Sequence, residues 1–173
     1  SFSWTVDTTA PETTIAEGPP AQTNDSTPSF GLAATESEST FECSLDAGEW
    51  ESCGSTYTTA LLADGAHTLH ARATDPAGNT DQSAAVHPFT VDTVAPETTI
   101  DSGPPPFTND STPSVTVSAS QASSTFECSF DGIAWSGCDT SYSTEALMDG
   151  GYTLSVRATD PAGNADASPA AHD

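Results

Sequence analysis

The chain of 173 residues contains one segment twice. Val6-Asp7-Thr8-Thr9-Ala10-Pro11-Glu12-Thr13-Thr14-Ile15 returns as Val91-Asp92-Thr93-Val94-Ala95-Pro96-Glu97-Thr98-Thr99-Ile100. Thr23-Asn24-Asp25-Ser26-Thr27-Pro28-Ser29 returns as Thr108 to Ser114, and Ala73 to Asn79 returns as Ala158 to Asn164. Every pair is 85 positions apart, so two copies of one module follow each other without a gap. A module of that length is just large enough for one small hydrophobic core.

Within a copy, apolar residues alternate with polar ones at a period of two, the signature of strands with one face on a core and one in water. Phe41, Cys43 and Leu45 alternate with Glu42, Ser44 and Asp46, and Phe126, Cys128 and Phe130 repeat the pattern. The same holds for Phe30, Leu32 and Ala34, for Val115, Val117 and Ala119, and for Tyr152, Leu154, Val156 and Ala158. Turn chemistry separates these runs. Asp46-Ala47-Gly48 and Asp131-Gly132 read as hairpin turns, and Asp75-Pro76-Ala77-Gly78-Asn79 reads as a tight loop in both copies. No segment shows helical periodicity. About seven short strands per copy, spaced by turn signals, predict an all-β chain of two tandem β-sandwiches.

Four cysteines fall into two identically spaced pairs, which predicts the local bridges Cys43–Cys53 and Cys128–Cys138 in an oxidising compartment. A hairpin turn between the partners would set Cys43 opposite Cys53 on paired strands. Zinc is the competing use of paired cysteines, but nine intervening residues with no matching histidine spacing fit it poorly.

Charge narrows the partners. There is no lysine, Arg72 and Arg157 are the only strong bases, and the formal net charge is −23. Such a field repels nucleic acid and anionic membrane surfaces, and no apolar run is long enough to span a bilayer. Catalysis has little to stand on. His67 is replaced by Tyr152 and His70 by Ser155, while His87 and His172 match but have no nucleophile signature beside them. The chain reads as a non-enzyme.

The motifs Val-Asp-Thr-x-Ala-Pro, Thr-Asn-Asp-x-Thr-Pro-Ser, Thr-Phe-Glu-Cys-Ser and Arg-Ala-Thr-Asp-Pro-Ala-Gly-Asn together resemble bacterial immunoglobulin-like repeats. Those repeats are strung in arrays in large secreted and surface-attached proteins, adhesins among them. The resemblance spans essentially the whole chain and implies a secreted, extracellular or cell-surface location. It also implies a structural role, as a filament subunit or stalk segment. An adhesive or carbohydrate-binding module acting through exposed loops is the second reading.

Repeats of this kind in giant adhesins hold calcium at domain junctions, and the resemblance implies the same here. Hard cations take six to eight oxygen ligands. Topology would bring linker residue Asp92 together with Asp160 and Asn164 of the second copy, assisted by Asn24, Asp25 or Glu97. The equivalent upstream set is Asp7, Asp75 and Asn79, which needs a preceding domain to complete it. Structural turn chemistry explains the same residues without a metal, because Asp and Asn cap backbone amides in such loops. Asn24 and Asn109 begin Asn-x-Ser sequons and are candidates for glycosylation. With no lysine, Lys–Asn isopeptide locking is closed to this chain.

The repeat assigns residues 9–93 to the first copy and 94–173 to the second. Residues 1–8 align with the last strand and linker of copy one, with Trp4 in the place of Phe89 and Val6 in that of Val91. Copy two is expected to lack its last strand. Phe2, Trp4 and Val6 alternate as a spare strand that would complete a neighbouring domain, either the next repeat of an array or the groove of an identical subunit. Self-association head to tail is the partner this predicts.

Overall fold

The computed structural model describes residues 2–173, and every regular element among them is a β-strand. The chain divides into two compact units, one running to Thr93 and one from Val94 to Asp173. Unit 1 contains β1 (Thr13–Glu17), β2 (Gln22–Thr23), β3 (Ser29–Ala34), β4 (Thr40–Leu45), β5 (Glu51–Cys53), β6 (Thr56–Thr58), β7 (Gly65–Thr74) and β8 (Ala85–Val91). They form two sheets, ordered β1-β3-β6 and β2-β8-β7-β4-β5. All pairs are antiparallel except the short β2–β8 contact.

The predicted alternation sets the inner faces. Phe30 and Leu32 of β3 meet Phe41 and Cys43 of β4, Leu69, Ala71 and Ala73 of β7, and Phe89 and Val91 of β8 in one buried cluster. Phe30, Leu69 and Val91 are almost wholly withdrawn from water, and each contributes about 1.5–3 kcal/mol by burial. The alanines of β7 keep the space between the sheets narrow enough for the rings of Phe30 and Phe89, whose centroids lie 5.5 Å apart, to touch.

Unit 2 contains β9 (Thr98–Ser102), β10 (Ser114–Ala119), β11 (Thr125–Ser129), β12 (Ser136–Cys138), β13 (Ser141–Ser143), β14 (Leu154–Thr159) and β15 (Ala170–His172), in sheets ordered β13-β10-β9 and β12-β11-β14-β15. Its core holds Val115, Val117, Phe126, Cys128, Leu154, Val156 and Ala158. The pairing of β1 with β3 slips between Ile15 and Glu17, and that of β9 with β10 slips between Thr116 and Val117, the same place in each repeat. Even the bulge is duplicated. β15 supplies three residues of the strand expected to be absent, against seven in β8, and β14 is six residues long where β7 has ten. Residues 2–10 contain no strand.

Both disulfides form, with Cα separations of 5.9 and 5.8 Å. The cysteines are not directly opposed as the sequence predicts. Cys43 pairs in register with Glu51, and Cys53 with Phe41, so the bridge runs diagonally across the hairpin. The register is the same in the second copy, where Cys128 pairs with Ser136 and Phe126 with Cys138, although the turns differ: Asp46 and Ala47 take the left-handed conformation and the Gly48 amide donates to the Leu45 carbonyl in the first, and Gly132 is left-handed in the second.

The two arginines do one job twice. Arg72 on β7 reaches Glu42 on β4 at 2.9 Å and lies 4.3 Å from the ring centre of Trp50. Arg157, Glu127 and Trp135 repeat the layer at 2.8 and 4.3 Å. These groups are partly exposed, so the ion pair adds at most about 1 kcal/mol and the stack a similar amount.

Candidate metal centre

The loop from Asp75 to Asn79 is built by its own side chains. Gly78 adopts φ of 93°, which an L side chain resists, and its amide donates to the Asp75 carbonyl. The Asp75 carboxylate accepts the Asn79 amide at 2.8 Å and the Asn79 side-chain amide at 2.7 Å. These donors, the Asn79 side chain first, outweigh the effect of burial and hold the Asp75 carboxyl below the ordinary aspartate range. Asn79 also donates to the backbone carbonyl of Asp7 at 3.2 Å, tying the N-terminal segment to this loop.

Asp7, Asp75 and Asn79 are therefore brought together within unit 1. A third carboxylate joins them that sequence reasoning missed. One oxygen each from Asp7, Glu36 and Asp75 lies within 4.8 Å of the others. Withdrawal from water pushes the Glu36 carboxyl up, and repulsion from Asp7 and Asp75 pushes it the same way. Asp7 is exposed, Glu36 is intermediate and Asp75 is buried. Three carboxylates offer only hard oxygen donors, which suit Ca²⁺ and not a thiophilic metal. Such a donor set fits a calcium ion, with solvent free to supply the remaining ligands on the exposed side.

Unit 2 carries the same loop. The Asn164 amide and side chain both donate to Asp160 at 2.8 Å, and Gly163 takes φ of 95°. Burial raises the Asp160 carboxyl, but these donors prevail and the net direction is down. Gln121 stands where the first copy has Glu36. It donates to the Val94 carbonyl at 2.7 Å. Asp92 leaves β8 with its amide on the Thr23 carbonyl. Asp25 is spent on a turn, accepting the Thr27 amide at 2.8 Å and the Thr27 hydroxyl at 3.2 Å. The Glu97 amide donates to the Ser120 hydroxyl. Asn24 and Asn109 lie exposed in surface bends. Phe2, Trp4 and Val6 are exposed, with the Phe2 and Trp4 rings 6.0 Å apart.

A second buried carboxylate in each unit also escaped sequence reasoning. Asp81 is 3% exposed and accepts the Thr13 amide at 2.8 Å with one oxygen, and the Ser83 amide and hydroxyl with the other. Thr13 in turn accepts the Ala73 amide at 2.8 Å. Asp166, Thr98, Ser168 and Ala158 repeat the arrangement. This staple joins the first strand of each unit to the opposite sheet. The signal was present as an Asp-x-Ser retained at both repeat positions.

His67 is peculiar to copy one. Its ring nitrogens face the Asp46 carboxylate at 2.7 Å and the Ala63 carbonyl at 2.9 Å, two acceptors that require both nitrogens to donate. The Ala63 carbonyl and then Asp46 push its pKa up.

Comparison with known proteins agrees with this architecture. Residues 5–93 match the family model described as a bacterial Ig-like domain. The fibronectin(III)-like modules of CbhA from Clostridium thermocellum are similar at a TM-score of 0.55 and 20% identity, covering 92% of this chain and 91% of that one. A Ca²⁺-stabilized, ice-binding adhesin of an Antarctic bacterium gives 0.48 at 18% identity, covering 95% of this chain and 48% of that one. A 1.5-MDa bacterial ice-binding adhesin gives 0.43 at 14% identity, covering 90% and 60%. No curated protein matched. With a fold of paired sheets in each unit and a family match over more than half its length, the chain belongs to the bacterial Ig-like domain family.

Proposed function

We propose that the protein is a structural segment of an extracellular stalk or filament, arrayed head to tail through its Ig-like units. One observation carries this reading: what the two copies share is mechanical. The disulfide hairpin, the Arg–Glu–Trp layer, the buried Asp staple and the Asp–Asn loop all recur. The His67–Asp46 pair, which has a chemically more versatile side chain, does not. Disulfides persist in oxidising surroundings, which supports an extracellular or surface location. A stalk segment should be reachable from outside intact producing cells. Protease shaving followed by immunoblotting tests this, and a signal found solely inside the cells would sink the reading.

The alternative of a binding module predicts aromatic platforms on loops. Trp50 and Trp135 are instead stacked beneath arginines, which favours the structural role.

Calcium at Asp7, Glu36 and Asp75 belongs to the same proposal. An ion there would relieve the repulsion that raises Glu36 and would fix the N-terminal segment to the Asp75 loop. Ligand that binds only the folded state stabilises it by about 2.7 kcal/mol at a concentration 100 times Kd. Millimolar calcium should therefore raise the unfolding midpoint of unit 1, EGTA should reverse the rise, and Glu36→Gln should remove most of it. Equal melting curves with calcium and with EGTA would refute the site.

A further inference from the structure

His67 is held between two acceptors. Its Nδ1–H donates to the Asp46 carboxylate at 2.7 Å and its Nε2–H to the Ala63 carbonyl at 2.9 Å. The ring is largely withdrawn from water and lies 5.6 Å from that of Phe89 between centroids. A neutral imidazole carries one N–H, so only the imidazolium satisfies both acceptors. Loss of the proton therefore breaks one of the two bonds. The N–H stays with the carboxylate, which is the stronger acceptor, and the Ala63 carbonyl is given up.

Ala63 belongs to a strap, Thr59 to Asp64, that links β6 to β7 without regular structure. The Thr59 amide donates to the Pro28 carbonyl at 3.1 Å and the Leu62 amide to the Ser26 carbonyl at 2.8 Å. At its far end Asp64 accepts the Thr93 amide and hydroxyl. Leu62 packs on the core, whereas Leu61 beside it is 79% exposed. The Thr59 hydroxyl is buried with no hydrogen-bond partner among the described residues, a cost that opening of the strap removes by admitting water. An irregular segment with exposed backbone and one apolar anchor opens at the low end of local stability, where a single bond matters.

Copy two makes the same contact without the charge. Tyr152 stands in the place of His67, and its hydroxyl donates to the Met148 carbonyl, the counterpart of Ala63, at 3.2 Å. Asp131, the counterpart of Asp46, is occupied within its own turn by the Ile133 and Ala134 amides. A phenol keeps its proton throughout the range in which an imidazolium loses one.

We propose that the Thr59–Asp64 strap of unit 1 is a pH-sensitive latch, closed while His67 bridges Asp46 and Ala63 as an imidazolium and released when the ring loses its proton. The other titratable groups around the ring do not duplicate the effect. On β8, His87 faces the Pro19 carbonyl at 3.0 Å, and His172 repeats this contact with Pro104 in unit 2 at 2.9 Å. Asp64 on the strap is engaged by Thr93. His70 alternates to the opposite face of β7. The Ala63 carbonyl, and Asp46 after it, hold the His67 pKa above the ordinary 6.5 against the effect of burial. A raised folded value means that the latch is complete below pH 6.5 and is lost as the pH rises through the folded value.

NMR on the 173-residue chain tests this by following the His67 ring and the Leu62 amide from about pH 6 to about pH 9. The ring should carry both protons at the acid end. Protection of the Leu62 amide against hydrogen exchange, corrected for the intrinsic rate, should fall by about tenfold at the ring's own midpoint, as the loss of one charge-assisted bond requires. The Leu147 amide, which donates to Ser111 at the matching place in unit 2, should show no such step. His67→Tyr should leave unit 1 folded, since copy two uses that residue, and should flatten the Leu62 profile. Thermal unfolding gives a second measure, with the unit 1 midpoint falling over the same range in the parent chain and staying level in His67→Tyr. Leu62 protection that ignores the ring's titration overturns the latch. So does a step that persists in His67→Tyr, a step that Leu147 shares, or a ring already neutral at the acid end.

Discussion

Replacing Asp81 with alanine is expected to destabilise unit 1 by about 2 kcal/mol, the cost of stranding a buried donor whose acceptor was a charged carboxylate. The side chain itself is small, so the loss is not one of packing. It comes chiefly from the Thr13 amide, which would keep its burial and lose its partner, while the Ser83 amide and hydroxyl lie on the exposed side and turn to water. Asp81→Asn should cost roughly half as much, since one carbonyl oxygen remains and an NH₂ faces the other donors. Asp166 predicts the same pair of results in unit 2, read by urea unfolding. Acid supplies the matching test without mutation. Burial tends to raise the Asp81 and Asp166 carboxyls, but their hydrogen bonds win and both lie below the ordinary aspartate value of 3.8. A lowered folded pKa means stability that is complete well above pH 3.8 and is lost as the pH falls through the folded value. An acid limb that is unchanged in the double Asp81→Asn, Asp166→Asn protein would show that the staple is not its source.

The second large effect is expected from the disulfides. Each closes a loop between cysteines ten positions apart, so its removal should cost about 2–3 kcal/mol through the entropy restored to the unfolded chain. For a module of this size that lowers the unfolding midpoint by about 10–20 °C. Cys43→Ala with Cys53→Ala is the better variant than serine, because Cys43 is 3% exposed and a hydroxyl there would be buried without a partner. Calorimetry then has an internal reference. The unit 1 transition should fall and that of unit 2 should stay, whereas a shift in both would mean the units do not unfold independently.

Local pattern carried most of the fold. Alternation at Phe41-Cys43-Leu45 and at Leu154-Val156-Ala158 places those residues inside, and the disulfide pairing follows from spacing alone. What stayed hidden depended on chain positions far apart. β2 is two residues long and exists only because β8 passes beside it. Asp81 sits between Thr80 and Gln82 like any surface acid, and its burial requires Thr13, 68 positions earlier. In the acidic cluster, Asp7, Asp75 and Asn79 were legible from the repeat. Glu36 was not, because its counterpart is Gln121 and duplication therefore gave it no emphasis. The diagonal path of the disulfides was also missed: the ladder sets Cys43 against Glu51 and Cys128 against Ser136, two positions short of the partner cysteine in each copy.

The arginine layers also decide how the chain can be taken apart. A protease that cuts after basic residues finds two bonds in the whole sequence, Arg72–Ala73 and Arg157–Ala158. Both lie within strands, paired at that point with β4 or β11, with the Ala73 and Ala158 amides donating to the Thr13 and Thr98 hydroxyls, and each arginine head is already held by a glutamate and a tryptophan. Tryptic digestion of this molecule must therefore wait for a unit to open, and digestion becomes a readout of folding in which each unit reports through its own single bond.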